Sequence, residues 1–539
     1  MEVPFVKAVK KSNIIIYALL ALFSACCDGC YKNNAFFEMS FSGGLLFLFK
    51  VLFYFAFFLV LHSILAYLKS HPILALNKYD FSIKKLALFL FFSWLPYAVI
   101  FYPGTSSYDT ANMIIDFFNG TESMPFGFVE GQETINVFLN DGNPIFATFI
   151  FASFHLLGRL IHNYNLAMFV YVILQMLLTA FSLSYMVGSM KKWGVRDDIL
   201  KLSVFFLAFM PFIPLHAISM LRDSLHSAIY VLYFTIYLDF ILEQKSEDNS
   251  RTRRIIGFVI LSVLIVLTKK TGIYFIIISN LALLFYTRKQ KLWKSLVWSL
   301  IIPAILIFLI YPKIVYPCLN IFPGGKHELF GTCFQQTAQN VIDHPEAYSE
   351  EDIAAIDKLI PFDPLVSEFN SLTSDPVKAT YRLHASNDEI MDYLKVWIQH
   401  GIKYPLDYVK ATLSICGGFF SPNKDIDMFD GVPTATVGAY SVYSNPAALA
   451  SLRAAAYNIY YWLSSVPGID LLFKISTYIW FLPMAAIIAL YDKRRRKTLV
   501  PTIVNLLVLI VSPICYARYG IHMLYTFPIV IGLGYSDLD

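Results

Sequence analysis

The chain alternates long apolar runs with polar loops. A membrane-spanning helix needs roughly 17 to 25 predominantly apolar residues, and many runs approach or reach that length. They are Ile14–Cys27, Val51–Leu68, Leu86–Phe101, Pro144–Leu160, Tyr164–Met190, Ile199–Ser219, Ser224–Leu242, Ile255–Leu267, Thr271–Tyr286, Ser295–Tyr311, Ile469–Leu490, Thr498–Ile514 and Ile521–Gly534. This pattern predicts an all-α membrane protein.

The distribution of Lys and Arg predicts how these runs are oriented, because basic loops are retained in the cytoplasm. If Pro144–Leu160 is a re-entrant or membrane-parallel helix rather than a span, the basic clusters all fall on the cytoplasmic side. They are Lys7/Lys10/Lys11, Lys69 to Lys85, Lys191/Lys192, Arg251/Arg253/Arg254, Arg288/Lys289/Lys291 and Lys493–Lys497. We therefore expect about twelve spans with both termini in the cytoplasm. A signal peptide ending near Cys26 is the alternative for the first run.

Two polar regions then face the outside and divide the chain into three parts. The loop 102–143 contains six acidic residues and no Lys or Arg, and it belongs to an N-terminal transmembrane part, 1–311. Residues 312–468 form a mainly helical extracytoplasmic domain, in which Ser349 ahead of Asp352 predicts a helix-capping box. Residues 469–539 return to the membrane.

Composition narrows the classes of function. Hydrophobic residues make up 57% of the 539 and charged residues 15%, with a mean hydropathy of +0.58, against roughly 45 to 50% apolar residues in soluble domains. A net charge of +4 without a basic stripe argues against nucleic-acid partners. The HExxH, Walker and G-x-S-x-G motifs are absent from the sequence, which argues against zincin, ATPase and α/β-hydrolase activity.

Four basic residues fall at span ends on the outer side, where the charge rule does not favour them. Lys or Arg within hydrocarbon costs about 2.5 to 3.5 kcal/mol, and such residues usually face protein or a water-filled cavity. Each one alone could extend its side chain to the membrane surface. Together they predict an anion site that holds a phosphate-bearing substrate. The residues are Arg222, which precedes Asp223, Lys269, Lys270 and Arg518.

Asp109 is the candidate general base, because it lies in the long outer loop and a carboxylate can accept the proton of an attacking hydroxyl. Asp116 lies two helical turns further on. It is either a solvated loop acid or a carboxylate of the same cleft, where it could hold a divalent cation such as Mg²⁺ or Mn²⁺ through oxygen ligands. No cofactor is otherwise indicated by the sequence.

Five motifs follow one another along the chain. They are YPGTSSYD (Tyr102–Asp109), the helix start after NDGNP (Asn140–Pro144), LRDS (Leu221–Ser224), KKTG (Lys269–Gly272) and ARYGIHMLYTFP (Ala517–Pro528). In this order they resemble the uncharacterised polytopic glycosyltransferase-like proteins of Gram-positive bacteria, relatives of the GT-C superfamily. The segment FQQTAQNVIDHPEAYSEED, residues Phe334–Asp352, extends the resemblance into the outer domain.

The resemblance implies an inverting glycosyltransferase of the bacterial cell membrane with Asp109 as catalytic base. Its donor would be a polyprenyl-phosphate sugar and its acceptor a glycan, lipid or protein of the cell envelope. Two positions depart from the pattern. Asn112 is the nearest amide where a Gln usually follows the loop Asp, and Asn143 stands where a His is expected. A transporter or flippase of lipid-linked saccharides is the alternative, although the sequence lacks the paired repeats common in transporters.

The seven cysteines give two further expectations. Cys27 and Cys30 form a single CxxC pair, which indicates neutral thiols more than a metal site, because structural zinc sites need four ligands. Cys318 and Cys333 flank an outer loop and could form a disulfide, since the outer compartment permits oxidation.

Overall fold

The structure is a computed structural model. It describes residues 9–73, 82–123, 135–242, 248–290, 292–323, 326–382, 385–422, 432–433 and 443–537. Helices account for most of these residues, and every strand has only two or three residues. The prediction of an all-α membrane protein is therefore confirmed at the level of its architecture.

The N-terminal part consists of helices that pack side by side. They are α1 (Lys11–Asn33), α2 (Phe41–Ser70), α3 (Ile83–Ile100), α4 (Tyr108–Asn119), α5 (Ile145–Leu160), α6 (Tyr164–Lys192), α7 (Asp197–Phe209), α8 (Phe212–Ala217), α9 (Arg222–Leu242), α10 (Asp248–Thr268), α11 (Gly272–Thr287), a 3₁₀ turn (Arg288–Gln290), α12 (Trp293–Leu296), α13 (Trp298–Ile305), a π-helical segment (Leu306–Val315) and α14 (Tyr316–Leu319).

A predominantly helical region follows, and the chain then returns to apolar helices. The helices of the region are α15 (His327–Asp343), α16 (Glu350–Asp357), α17 (Phe362–Ser367), α18 (Asp375–Lys378), α19 (Asn387–Lys403), α20 (Pro405–Cys416) and α21 (Ala450–Ser465), with 3₁₀ turns at Pro345–Ala347, Gly417–Phe419, Ala447–Leu449 and Asp470–Phe473. The C-terminal elements are a π-helical segment (Thr477–Phe481), α22 (Leu482–Leu490), a 3₁₀ turn (Arg495–Leu499), α23 (Val500–Ile510), a 3₁₀ turn (Ala517–Gly520) and α24 (Ile521–Gly534).

Six helical stretches among the described residues are long and apolar enough to cross a membrane. They are Lys11–Asn33, Phe41–Ser70, Ile83–Ile100, Tyr164–Lys192, Arg222–Leu242 and Trp293–Leu319. Shorter apolar helices occur at Ile145–Leu160, Gly272–Thr287 and Thr477–Leu490. A large apolar side chain such as Phe41 is 85% exposed, which fits a surface that lipid covers.

Two predicted boundaries differ from the structure. The apolar run Ile199–Ser219 is interrupted after α7, because Pro211 follows Met210 and the chain restarts as the short helix α8. The last run of the N-terminal part continues as a helical stretch to Leu319, past the predicted domain boundary at residue 312. The π-helical turns accommodate Pro312 within this stretch.

The region after this stretch has its own hydrophobic core. Phe334, Ile356, Leu359 and Tyr393 are fully buried in a cluster separate from the main core. The predicted capping box is confirmed. The Ser349 hydroxyl accepts a hydrogen bond from the backbone N–H of Asp352, and the Asp352 carboxylate accepts one from the backbone N–H of Ser349. The domain bounds 312–468 and the outer location of this region stay predictions.

Short strands bring distant segments together at one end of the helices. β1 (Thr105–Ser106) pairs in parallel with β5 (Ser219–Met220) and antiparallel with β7 (Val432–Pro433). β4 (Leu139–Asn140) pairs in parallel with β6 (Ile321–Phe322), and β2 (Thr121–Ser123) pairs with β3 (Ile135–Val137). The chain turns into β1 at Gly104, whose φ of +131° and contact with Val172 leave no room for a side chain.

The opposite end gathers the basic loops. Arg196, which follows α6, donates hydrogen bonds to the backbone carbonyls of Leu68 and Lys69 at the end of α2. Arg495 donates to the carbonyl of Ser536 near the C-terminus, at 2.6 Å. The ends of α2 and α6, the loop before α23 and the C-terminal residues therefore meet at one end of the molecule.

Helix α5 runs beside only the first part of α6. Phe151 and Phe154 of α5 contact the ring of Tyr171, and Gly158 lies against Tyr164 at the first turn of α6. Since Tyr164 and Tyr171 lie in the first 8 residues of the 29 in α6, α5 does not reach the end of α6 that carries Lys191 and Lys192.

Candidate functional site

Asp109 lies in the first turn of α4, directly after the strand β1. The parallel pairing of β1 with β5 places this turn beside the start of α9, because Asp109 follows β1 by three residues and Arg222 follows β5 by two. Two side-chain contacts fix the junction. The hydroxyls of Thr105 and Ser219 lie 2.5 Å apart, and Thr110 donates to the carbonyl of Met220 at 2.6 Å.

Arg222 contacts three of the predicted site residues. Its guanidinium lies 3.5 Å from the carboxylate of Asp109 and 4.0 Å from that of Asp223. It also donates a hydrogen bond to the side-chain oxygen of Asn143, the last residue before α5 begins at its Pro144 cap. The guanidinium is thus shared among partners from three segments rather than paired with one.

Lys269 and Lys270 occupy the turn between α10 and α11, and their side chains reach different acids. The ammonium of Lys269 lies 2.9 Å from the carboxylate of Asp223, and Asp223 is only 3% exposed. The ammonium of Lys270 lies 3.2 Å from Asp141. The predicted pair of cations therefore holds two carboxylates at the same end of the molecule.

Arg518 closes the cluster from the C-terminal segment. Its guanidinium lies 3.0 Å from Asp109 and is 2% exposed. The rings of Tyr516 and Tyr519 lie 4.8 and 5.7 Å from the guanidinium carbon, an arrangement that favours a cation over an aromatic face. Lys269 lies 5.2 Å from the centroid of the same Tyr519 ring.

The four predicted cations thus converge. Among the described residues, the ion pairs of Arg222, Lys269, Lys270 and Arg518 involve three carboxylates, those of Asp109, Asp141 and Asp223. Within this set of described side chains the cations outnumber the acids. Charge-assisted hydrogen bonds from such groups are among the stronger contacts available to a phosphate.

A cavity of about 490 Å³ opens beside this cluster, a size typical of small-molecule sites. Arg222, Lys269 and Lys270 line it together with apolar residues. Two of those, Phe308 of the π-helical segment and Val511 after α23, are 61% and 58% exposed. The cavity therefore connects the cations with the apolar outer surface of the helices.

Five predicted site residues do not line this cavity, namely Asp109, Asn112, Asp116, Asn143 and Arg518. Asp109 contacts Arg222 and Arg518 beside the cavity without lining it. Asn112 is exposed on α4. Asp116 is partly buried on the same helix, and burial raises the pKa of its carboxyl. Among the described residues, no three His, Cys, Asp or Glu side chains converge to hold a metal ion, and a metal at Asp116 stays a prediction.

Sequence reasoning missed the polar groups that the tertiary fold adds. Asp141 lines the cavity and accepts a hydrogen bond of 2.5 Å from the Tyr316 hydroxyl. His226 and His522 line its inner end. Asp141 belongs to the NDGNP motif, so the sequence did contain a signal for it. The pairing of β4 with β6, which brings Asp141 near Tyr316, could not be predicted, because these strands show no periodic pattern in the sequence.

The two predicted outer cysteines do not form a disulfide. Cys318 is exposed and Cys333 is partly buried, and both are free thiols. Cys27 and Cys30 are buried free thiols of α1.

Comparison with known proteins gives a single classification. No curated protein and no solved structure matches the chain. A family model described as a family of unknown function (DUF6020) matches residues 73–533, which include every residue of the cation cluster. The chain belongs to this family, DUF6020.

Proposed function

We propose that the protein is an inverting glycosyltransferase that takes a sugar from a polyprenyl-phosphate carrier and adds it to a cell-envelope acceptor. The observation that carries the proposal is the convergence of Arg222, Lys269, Lys270 and Arg518 beside a cavity that reaches the apolar surface. A phosphodiester on an isoprenoid chain matches both features, because its phosphate binds cations and its isoprenoid chain lies in lipid.

The proposed orientation has both termini in the cytoplasm and about twelve spans across the bacterial plasma membrane. The gathering of the ends of α2 and α6 with the C-terminal residues supports it, since these segments carry Lys69, Lys191 and Lys192. The short contact of α5 with α6 supports a helix that does not cross. The cation cluster then faces outside.

The proposed reaction exchanges one bond at the anomeric carbon. The acceptor hydroxyl oxygen attacks that carbon from the side opposite the phosphate, and the bond from carbon to the phosphate oxygen breaks. Its electron pair leaves with polyprenyl phosphate, whose charge Arg222 and Lys269 stabilise. The proton of the acceptor hydroxyl passes to the carboxylate of Asp109.

The pairing of Asp109 with two guanidinium groups gives the reaction an order of events. The guanidinium groups of Arg222 and Arg518 contact the Asp109 carboxylate and would also contact the donor phosphate. A phosphodiester that binds them replaces Asp109 as their partner and leaves its carboxylate oxygens available to the acceptor hydroxyl. Donor binding thus precedes proton transfer in this scheme.

An assay in reconstituted vesicles distinguishes sugar transfer from transport of the lipid-linked sugar. With a radiolabelled isoprenyl-phosphate sugar and an envelope extract as acceptor, the proposal predicts a labelled product and free isoprenyl phosphate. Movement of intact donor between leaflets without a new glycoside would instead identify a flippase. Neither event with any donor of a sugar panel would contradict both functions.

A further inference from the structure

The inner end of the cavity is polar, although it lies among the apolar helices. His226 lies one helical turn along α9 from Arg222, and it lines the cavity with Asn505 of α23 and His522 of α24. All three side chains belong to residues that are at most 6% exposed. Three different helices thus place hydrogen-bonding groups along the wall of one cavity.

Two polar atoms at this end have no hydrogen-bond partner among the described residues. They are the carboxylate oxygen Oδ2 of Asp223 and the ring nitrogen Nε2 of His522, and both are fully buried. Each of their neighbours uses one side-chain nitrogen in a hydrogen bond within the protein and keeps further polar atoms. His226 shares a hydrogen bond of 2.9 Å with the Thr268 hydroxyl, and the Asn505 amide donates to the Tyr230 hydroxyl at 2.7 Å.

Buried polar atoms in native proteins nearly always have a hydrogen-bond partner. An isoprenoid chain in this part of the cavity would leave the Asp223 oxygen and the His522 nitrogen unsatisfied. A group with several hydroxyls would satisfy both, because each hydroxyl donates one hydrogen bond and accepts others. The chemistry of the inner end therefore fits a sugar better than a lipid tail.

We propose that Asp223, His522 and Asn505 form a subsite that binds the sugar of the carrier lipid and discriminates among sugars. This inference rests on the proposed function, since it concerns the ligand of the same cavity. The cations bind the phosphate at the outer end, and the isoprenoid chain leaves sideways past Phe308 and Val511. A site built around hydrogen bonds rejects analogues that lack the matching hydroxyl.

The test compares two classes of probe of equal charge on the purified protein in nanodiscs. The first is a short isoprenyl methyl phosphodiester, and the second comprises isoprenyl phosphodiesters of glucose, galactose, mannose and N-acetylglucosamine. The subsite predicts that at least one sugar diester binds wild-type protein about tenfold more tightly than the methyl diester. This arm needs no variant, so it does not depend on the folding of a mutant.

Variants then assign the effect to His522. His522→Phe retains an aromatic ring without nitrogen atoms, and it should abolish the preference for the sugar while leaving affinity for the methyl diester within about twofold. His522→Gln restores a hydrogen-bonding group and should restore part of the preference. Thr526→Val is the matched control, because Thr526 lies one turn along α24, is buried, and does not line the cavity.

Each outcome decides a different claim. Equal binding of all probes by wild-type protein overturns the sugar subsite and leaves the phosphate site intact. A sugar preference that survives in His522→Phe overturns the role of His522, and loss of the preference in Thr526→Val overturns the assignment to the cavity floor. Binding of neither probe class overturns the phosphate site and, with it, the subsite.

Discussion

Arg196 and Arg222 lie at opposite ends of the molecule, and each has aspartates beside it. Their side chains are similarly exposed, 27% and 21%, so burial does not distinguish them. Arg196 makes two hydrogen bonds to Asp198, of 2.7 and 2.8 Å, and two more to backbone carbonyls of α2. Arg222 shares looser contacts of 3.5 and 4.0 Å with two aspartates.

The difference separates a structural ion pair from a candidate binding site. The hydrogen-bond donors of Arg196 are used within the protein, and its ion pair with Asp198 joins two loops. Arg222 lines a cavity with two lysines, and the described cations of the cluster outnumber its acids. An ion pair alone therefore does not identify a binding site. An arginine that shares longer contacts among several acids beside a cavity is a better indication of one.

Cysteine labelling tests which end of the molecule faces outside, and it should give an all-or-none result. On a Cys318→Ser background, chosen because Cys318 is an exposed thiol, Lys358→Cys should react with an impermeant maleimide in intact cells. Lys497→Cys should react only after permeabilisation. Both positions are exposed, so accessibility within the protein is matched. The reverse labelling pattern would place the cation cluster in the cytoplasm and exclude an outer-face reaction.

The next effect concerns catalysis at Asp109. General-base catalysis is commonly worth about 10²- to 10⁴-fold, so Asp109→Asn should slow sugar transfer by at least a hundredfold in the reconstituted assay. The amide keeps the shape but cannot take the proton, and donor binding should persist. A wild-type transfer rate in Asp109→Asn would refute the catalytic role, and Asp198→Asn serves as the control at the opposite end.

The cations should affect donor binding by a smaller factor. Charge-assisted hydrogen bonds are worth about 1.5 to 3 kcal/mol, so Arg222→Ala, Lys269→Ala and Arg518→Ala should each weaken binding of an isoprenyl phosphodiester roughly ten- to hundredfold. Arg222→Ala is the most informative variant, because Asp109 keeps Arg518 and Asp223 keeps Lys269.

Equilibrium binding in nanodiscs measures this effect, and Arg196→Ala is the matched control. Arg196→Ala should bind the phosphodiester like the wild type. Unchanged affinity in all three site variants, or an equal loss in Arg196→Ala, would remove the distinction between the two ends.

The smallest effect is on stability. Arg196→Ala should lower the free energy of unfolding by about 1 kcal/mol, since its hydrogen bonds to the end of α2 are lost but the partly exposed pair is screened by solvent. Arg222→Ala should cost less, because its partners retain other cations. Thermal unfolding in detergent compares the two variants, and a greater loss for Arg222→Ala would make the cation cluster mainly structural.

Much of the helical architecture could be predicted from the sequence, because apolar runs of span length leave few alternatives. The capping box at Ser349 was also predictable, since it depends on local contacts within four residues. Two helical segments differ from the predicted apolar runs for local reasons. Pro211 interrupts the run Ile199–Ser219, and π-helical turns carry a helical stretch past Pro312.

The site was only partly predictable. The charge rule identified Arg222, Lys269, Lys270 and Arg518 as cations in unfavourable positions, and the fold brings all four together. The pairing of β1 with β5 was not predictable, because two-residue strands carry no period in the sequence. Without that pairing, neither the contact between Asp109 and Arg222 nor the polar floor of the cavity could be inferred.

If the cation-rich end binds the phosphate of a lipid carrier, a cryo-electron microscopy structure in nanodiscs with an isoprenyl phosphodiester will show the ligand there. Phosphate density should lie within hydrogen-bonding distance of Arg222 and Lys269, and the isoprenoid chain should lead past Phe308 to the lipid. Phosphate density bound elsewhere on the protein, or a cavity without ligand density at saturating probe, would contradict binding of the phosphate at that end.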